Sequence, residues 1–233
     1  GEPALLSMED ARTLFHEFGH ALHGLLSDVT YPMIAGTNVA RDFVELPSQL
    51  YEHWLEQEPV LQRFAVHHRT AEPMPGDLIQ RLLATQTFNQ GFATVEYVAS
   101  AAVDLKLHLI EAPQDIDLSA FEAQTLAELG MPPAITMRHR LPHFAHLFAG
   151  EAYSAGYYSY LWSEVLDADA FEAFEEAGDI FDPATAGRLE TYIYSAGFLR
   201  EPEETYLTFR GRAAEPAPVL RQRGLVEMRP EAE

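Results

Sequence analysis

Residues 15–26 read FHEFGHALHGLL, three histidines and a glutamate on a stretch otherwise suited to a helix. Within it, His16-Glu17-Phe18-Gly19-His20 is an HExxH pattern. On a helix, positions i and i+4 lie one above the other, so the two imidazoles point the same way about one turn apart. That spacing lets both ring nitrogens reach a single zinc ion at roughly 2.0–2.1 Å each. Glu17 lies about 100° around the helix, near enough to touch a metal-bound water without being a ligand. Leu14, Phe15, Phe18, Leu22 and Leu25 surround these groups, which predicts a buried helix. Buried imidazoles and a buried carboxylate are costly without a partner, and a metal removes that cost.

A catalytic zinc takes three protein ligands and leaves a fourth position open. One known extension of HExxH needs glycine at position 23 and histidine at position 26; the chain has His23 and Leu26, so that form fails. His23 shares the face of the pair but lies about 10 Å along the axis from His16, too far for one ion to be held by both. It is expected in a cleft or as a support behind a ligand. The other extension takes a glutamate from the next helix, and RDFVELPSQLYEHW offers Glu45 and Glu52. Glu45, amid Phe43, Val44 and Leu46, is favoured, because an unpaired carboxylate is unwelcome there. Glu52, beside Tyr51, His53 and Glu56, fits a solvated position. Asp42 is read as a helix N-cap, with orientation of a ligand histidine as its alternative role.

The elements that must carry these groups read as helices almost throughout. Ser7 is a plausible N-cap for a helix to about Leu26. VTYPMIAGTNVA is short, β-branched and punctuated by Pro32 and Gly36, so a short β segment is expected near residues 29–40. Helices are then expected over 42–56, started or kinked by Pro47, and over 59–70, 76–111 and 119–129. A long aromatic helix is expected over 151–177. On it Tyr153, Tyr157 and Tyr160 stand at i, i+4 and i+7, one face. A stripe like this is ordinarily core, yet buried tyrosine hydroxyls need partners. His139, His143 and His146 stand just upstream, in MRHRLPHFAH.

The bulk properties narrow the classes. The 233 residues are 47% hydrophobic, 22% charged and 11% aromatic, a globular composition that fits one mainly α domain. The net charge of −21 argues against nucleic acid as a partner. With no cysteine, disulfides, thiolate zinc sites and cysteine nucleophiles are excluded. No apolar run approaches a membrane span, so no membrane partner is expected. The lack of cysteine fits a cytoplasmic and an exported protein alike, and a cytoplasmic location is the expectation.

Taken together, LFHEFGHALHGLL, GTNVARDFVELPSQLYEHW, NQGFATVEYVASAAVDLKLH, HFAHLFAGEAYSAGYYSYLWSEVLDADAF and TYLTFRGR with PVLRQRGL resemble the thimet oligopeptidase and peptidyl-dipeptidase family of zinc metallopeptidases. The likeness spans practically the whole chain, and GTNVARDFVE with EHW favours the peptidyl-dipeptidase (dipeptidyl carboxypeptidase) branch. The resemblance implies a mainly α, multi-helix zincin-type domain forming one wall of a deep cleft. It implies one zinc ion held by His16, His20 and Glu45, with Glu17 as general base. Tyr157 and Tyr160 would donate to the oxyanion, His146 would act near them, and Tyr153, Gly36 and Thr37 would bind substrate. The spacing in HLFAGEAY is longer than the family's Gly-Gly-Tyr form, and SAGFLRE stands where the family has a glycine-rich loop. Family members are longer, so residues 1–233 are expected to be the C-terminal catalytic portion, with the N-terminal half as partner. Short peptides are the expected substrates, losing C-terminal dipeptides; the alternatives are an oligopeptidase of the same family or a zinc-binding portion that needs its other half. A helical interaction module with an accidental HExxH is the reading from another class.

Overall fold

A computed structural model describes residues 4–112 and 115–226. The chain packs as two compact units, Gly1–Phe88 with Trp162–Glu233, and Asn89–Leu161, where the composition suggests one domain. No linker marks either boundary. At the first, Asn89 adopts a left-handed conformation (φ 58°) that ends the helical path; the second falls inside a continuous helix, Ser159–Glu176.

In the first unit, α1 (Met8–Leu25) begins with a capping box: the Ser7 hydroxyl accepts from the Asp10 N–H, and the Asp10 carboxylate accepts from the Ser7 N–H. Glu9 and Asp10 place negative charge at the positive end of the helix dipole. The expectation of a buried helix is corrected: only Gly19 and His23 are buried, while Leu14, Phe18 and Leu25 are 56%, 47% and 77% exposed. The second helix, α2 (Leu46–Leu55), starts later than expected, because residues 41–45 form a turn and Pro47 sits in the first helical turn, where its missing N–H costs nothing. Asp42 therefore lies in that turn and Glu45, not Asp42, occupies the N-cap position.

α1 and α2 pack directly on one another. They come close at Gly19, where a Cβ would come within 2.6 Å of the Ser48 Cα and 2.7 Å of the Pro47 carbonyl oxygen. Both are main-chain atoms, so neither can rotate away. The Pro47 carbonyl also accepts from the buried Tyr194 hydroxyl at 3.0 Å. Below this contact Phe43, Leu46 and Leu50 join Phe171, Phe174, Ile193 and Phe209 in the main core.

The short β segment expected near 29–40 does not form. Pro32–Ile34 makes one 3-10 turn, Gly36 has a positive φ, and Asn38 closes the loop through its side-chain amide on the Pro32 and Ala35 carbonyls. A strand needs a neighbouring strand, and the main-chain bonds beside this segment run to the irregular stretch 195–198, through Asp28 N–H to Ser195 O and Phe198 N–H to Ile34 O. Among the described residues the isolated β pairing is Val66 with Pro73. The remaining helices of this unit are α3 (Glu58–Phe64) and α4 (Gly76–Leu83).

The second unit holds α5 (Gln90–His108) and α6 (Leu118–Glu128), which pack through Ala99, Val103 and Leu126 against Met137, Leu141 and Leu147. The helix expected over 76–111 is thus split by the turn at 84–89. α7 (Ser159–Glu176) begins eight residues later than expected, since residues 151–153 form a 3-10 turn and Ala155 takes φ 56°. In the first unit α7 continues alongside α8 (Pro183–Leu189), a π turn (Glu190–Tyr194), α9 (Pro202–Arg210) and α10 (Ala217–Gln222). Among the described residues no helix is long and apolar enough to cross a membrane.

Gly19→Ala tests the close helix contact. Alanine ordinarily stabilises a helix interior, but here it must push two main chains apart, so a loss of about 1–3 kcal/mol is expected in chemical denaturation. Zinc affinity should fall with it, because the same shift carries Glu45 away from His16 and His20.

Candidate metal centre

His16 and His20 stand one turn apart on α1, their rings edge to face with centroids 4.8 Å apart. Nε2 of His16 and Nε2 of His20 lie 3.3 and 3.1 Å from the same Glu45 oxygen, Oε2. One donor atom from each of the three residues falls within 4.8 Å of the others, a set that can hold one metal ion. Glu45 is kept in place by its position at the start of α2 and by the Ser48 hydroxyl, which lies 2.9 Å from its carbonyl and 3.1 Å from Oε2. Two imidazoles and a carboxylate are donors zinc takes at catalytic sites, so the residues present fit that ion.

The site is also tuned electrostatically. Burial raises the Glu45 carboxyl, but hydrogen bonds to His16 and His20 outweigh it and hold the group well below the usual carboxylate range. Glu45 first, then Glu52, pushes His16 up to about 9. A metal ion at this point takes over the compensation that a proton otherwise supplies, and it must displace that proton.

Glu52 is the residue that sequence reasoning left in solvent. Its Oε1 lies 2.7 Å from His16 Nδ1, leaving Nε2 of the same ring toward Glu45. A carboxylate behind a ligating imidazole fixes the tautomer and the ring orientation. Arg12, one turn before His16, sits 3.8 Å from Glu52 and 2.5 Å from Glu56, so the supporting carboxylate is itself supported. The signal was available: Glu52 is seven residues from Glu45, on the same side of α2. On the other ligand, His20 Nδ1 has no hydrogen-bond partner among the described residues.

Glu17 lies exposed on α1 beside the two ligating positions. His23 does not line a cleft. It is fully buried, edge-on to Tyr194, with neither ring nitrogen bonded among the described residues, and burial pushes it down to about 4. Buried and neutral, it is a packing residue behind the site. Gly36 is buried too: its N–H donates to the Ser27 hydroxyl, and a Cβ would meet the Gly24 main chain at 3.1 Å. Its amide is therefore spent on the loop, while Thr37 next to it is exposed.

In the second unit the three tyrosines do not share a helix face as their spacing suggests, because only Tyr160 lies on α7. They gather instead around His146, whose ring is 4.9, 5.4 and 5.8 Å from those of Tyr153, Tyr157 and Tyr160. His146 Nε2 is 3.1 Å from the Tyr160 hydroxyl. Burial raises the Tyr157 hydroxyl above its ordinary value, keeping it a donor at neutral pH. His139 packs on Phe144, outside this ring of groups.

A helical scaffold with an HExxH helix and a glutamate from the next helix on the same two nitrogens defines a metallopeptidase-type site. Residues 1–225 match peptidase family M3, and the chain belongs to that family, whose metallopeptidases are zinc-dependent in general. It is 42% identical over 229 residues to a dipeptidyl carboxypeptidase of Escherichia coli (strain K12), covering 97% of this chain and 33% of that protein. It is 38% identical over 230 residues to oligopeptidase A of the same organism and to a probable cytosolic oligopeptidase A of Arabidopsis thaliana, again over 97% of this chain and 33% of each. The chain thus spans about a third of the length of the curated relatives it matches.

Glu52→Gln separates support from ligation. It should leave one zinc per chain at saturation and weaken binding by roughly 10–100-fold in a chelator competition, whereas Glu45→Gln should abolish stoichiometric binding. Equal losses in the two variants would show that Glu52 itself ligates.

Proposed function

We propose that this chain carries the catalytic centre of a zinc-dependent peptidase that releases dipeptides from the C-termini of short peptides. The observation that carries the reading is the convergence of His16, His20 and Glu45 on one point. When bound there, zinc supplies Lewis acidity toward water and the scissile carbonyl. Glu17, adjacent to the ligand pair, accepts the proton of the attacking water and returns it to the departing amine. Tyr157 and Tyr160 donate their hydroxyls to the oxyanion, a role supported by the family resemblance and by their clustering around His146. His146, at 3.1 Å from Tyr160, orients that hydroxyl.

The dipeptidyl branch is favoured by the GTNVARDFVE and EHW segments and by the 42% identity to a dipeptidyl carboxypeptidase. A peptidase of the oligopeptidase kind is the second reading, favoured by the 38% identity to oligopeptidase A.

Glu17→Gln in the full-length protein should retain its zinc and lose about 10²–10⁴-fold in kcat on a fluorogenic peptide. Unchanged activity would rule out this mechanism. In the same assay, peptides with amidated C-termini should be cut far more slowly than free acids; equal rates assign the oligopeptidase reading instead.

A further inference from the structure

Asp104 is a fully buried carboxylate near the C-terminal end of α5, distant in sequence from every group assigned above. An aspartate there is costly unless its oxygens are taken. They are: Oδ2 accepts the Tyr157 N–H at 2.9 Å, and Oδ1 accepts the Ala155 N–H at 3.1 Å and faces His108 Nδ1 at 2.7 Å. The two amides flank Gly156 and belong to the loop that breaks the expected helix. Ala155 is left-handed at φ 56°, a conformation that a residue with a Cβ adopts only when its surroundings hold it there.

Tyr157 is gripped on its other side as well. The Tyr97 hydroxyl, from the same helix as Asp104, donates to the Tyr157 carbonyl. The two rings stack at 5.1 Å and 19°, and Phe144 meets the Tyr157 ring edge-on at 5.0 Å. Both main-chain polar groups of Tyr157 are thus bonded to α5, which leaves the ring and its hydroxyl a narrow range of positions beside His146.

We propose that Asp104 is the positioning residue for Tyr157: it anchors the 155–157 main chain to α5 and so fixes where the Tyr157 hydroxyl points. The inference rests on the role given to Tyr157 in the proposed reaction. Pre-set donors stabilise a transition state without reorganising, so loosening the anchor should act on kcat more than on KM.

The test is a double-mutant cycle in the full-length protein. Asp104→Asn keeps the side chain's shape, yet it cannot accept both amide hydrogens while keeping its His108 contact. It should lower kcat about 10–100-fold, with KM changed less than about threefold and one zinc per chain retained. In a Tyr157→Phe background it should lower kcat less than about threefold further, because the hydroxyl it positions is already gone. His108→Gln, at a partly exposed position, removes the partner of the carboxylate while leaving Asp104 in place. It should lower kcat about threefold to tenfold and lose that effect in Tyr157→Phe, which keeps the inference testable if Asp104→Asn does not fold. Losses that multiply in full across the two backgrounds, or a change confined to KM, would overturn the role of Asp104. A Tyr157→Phe enzyme with unchanged kcat would overturn the role of Tyr157 itself, and this inference with it.

Discussion

The close approach of α1 and α2 at Gly19 is the contact on which the metal centre depends. Helices with ordinary side chains at their crossing keep their axes about 8–10 Å apart. Here a residue without a Cβ lets the Pro47–Ser48 main chain press against the helix that carries both histidines. The next residues back along α2 include Glu45, and so its carboxylate arrives at both Nε2 atoms. The glycine in HEFGH is therefore as much part of the donor set as the histidines, although it supplies no ligand atom. Tyr194 fastens the same Pro47 carbonyl, so the approach is held by packing and by a buried hydrogen bond.

Around that contact the structure pairs its charges wherever they are buried. Within the first unit Asp169, with no exposed surface, is met by the Tyr206 hydroxyl at 2.6 Å and by Arg210 and Arg212. Arg221 and Arg223 hold Glu172 and Glu164 of the same helix. His53 on α2 bonds Asp167 of α7 at 2.6 Å while stacking on Phe171. Burial raises the Asp167 carboxyl against the pull of His53. In a chain of net charge −21, cations are too few to spread thinly, and several of those present sit on carboxylates that folding has withdrawn from water.

The second unit solves a different problem, that of aiming hydroxyls from a loop. A helix face would have presented Tyr153, Tyr157 and Tyr160 in a line along its axis. Breaking the helix before Ser159 lets the three surround His146 instead, at ring distances of 4.9–5.8 Å. The break is held by a buried carboxylate and a tyrosine hydroxyl from α5. Loops that carry polar groups are ordered in this way, by side chains from a rigid neighbouring element that take up their free amides and carbonyls.

What the sequence alone determined is what helical geometry dictates over short range. HExxH places two imidazoles on one face, the Ser7–Asp10 box starts the helix that carries them, Pro47 opens the next, and the spacing of His23 removes it from the ligand set. The choice of Glu45 over Glu52 was legible through its apolar neighbours, but the part Glu52 plays was not, because it depends on how α2 crosses α1. The tertiary structure alone decided that the 29–40 segment stays irregular for want of a strand beside it, and that Gly36 is buried in the loop. It also decided that the tyrosines form a ring rather than a stripe, through Asp104, some fifty residues away in the chain. Periodicity reports which residues share an element. Which elements meet, and at what distance, is set by main-chain approaches and buried hydrogen bonds that leave no period in the sequence.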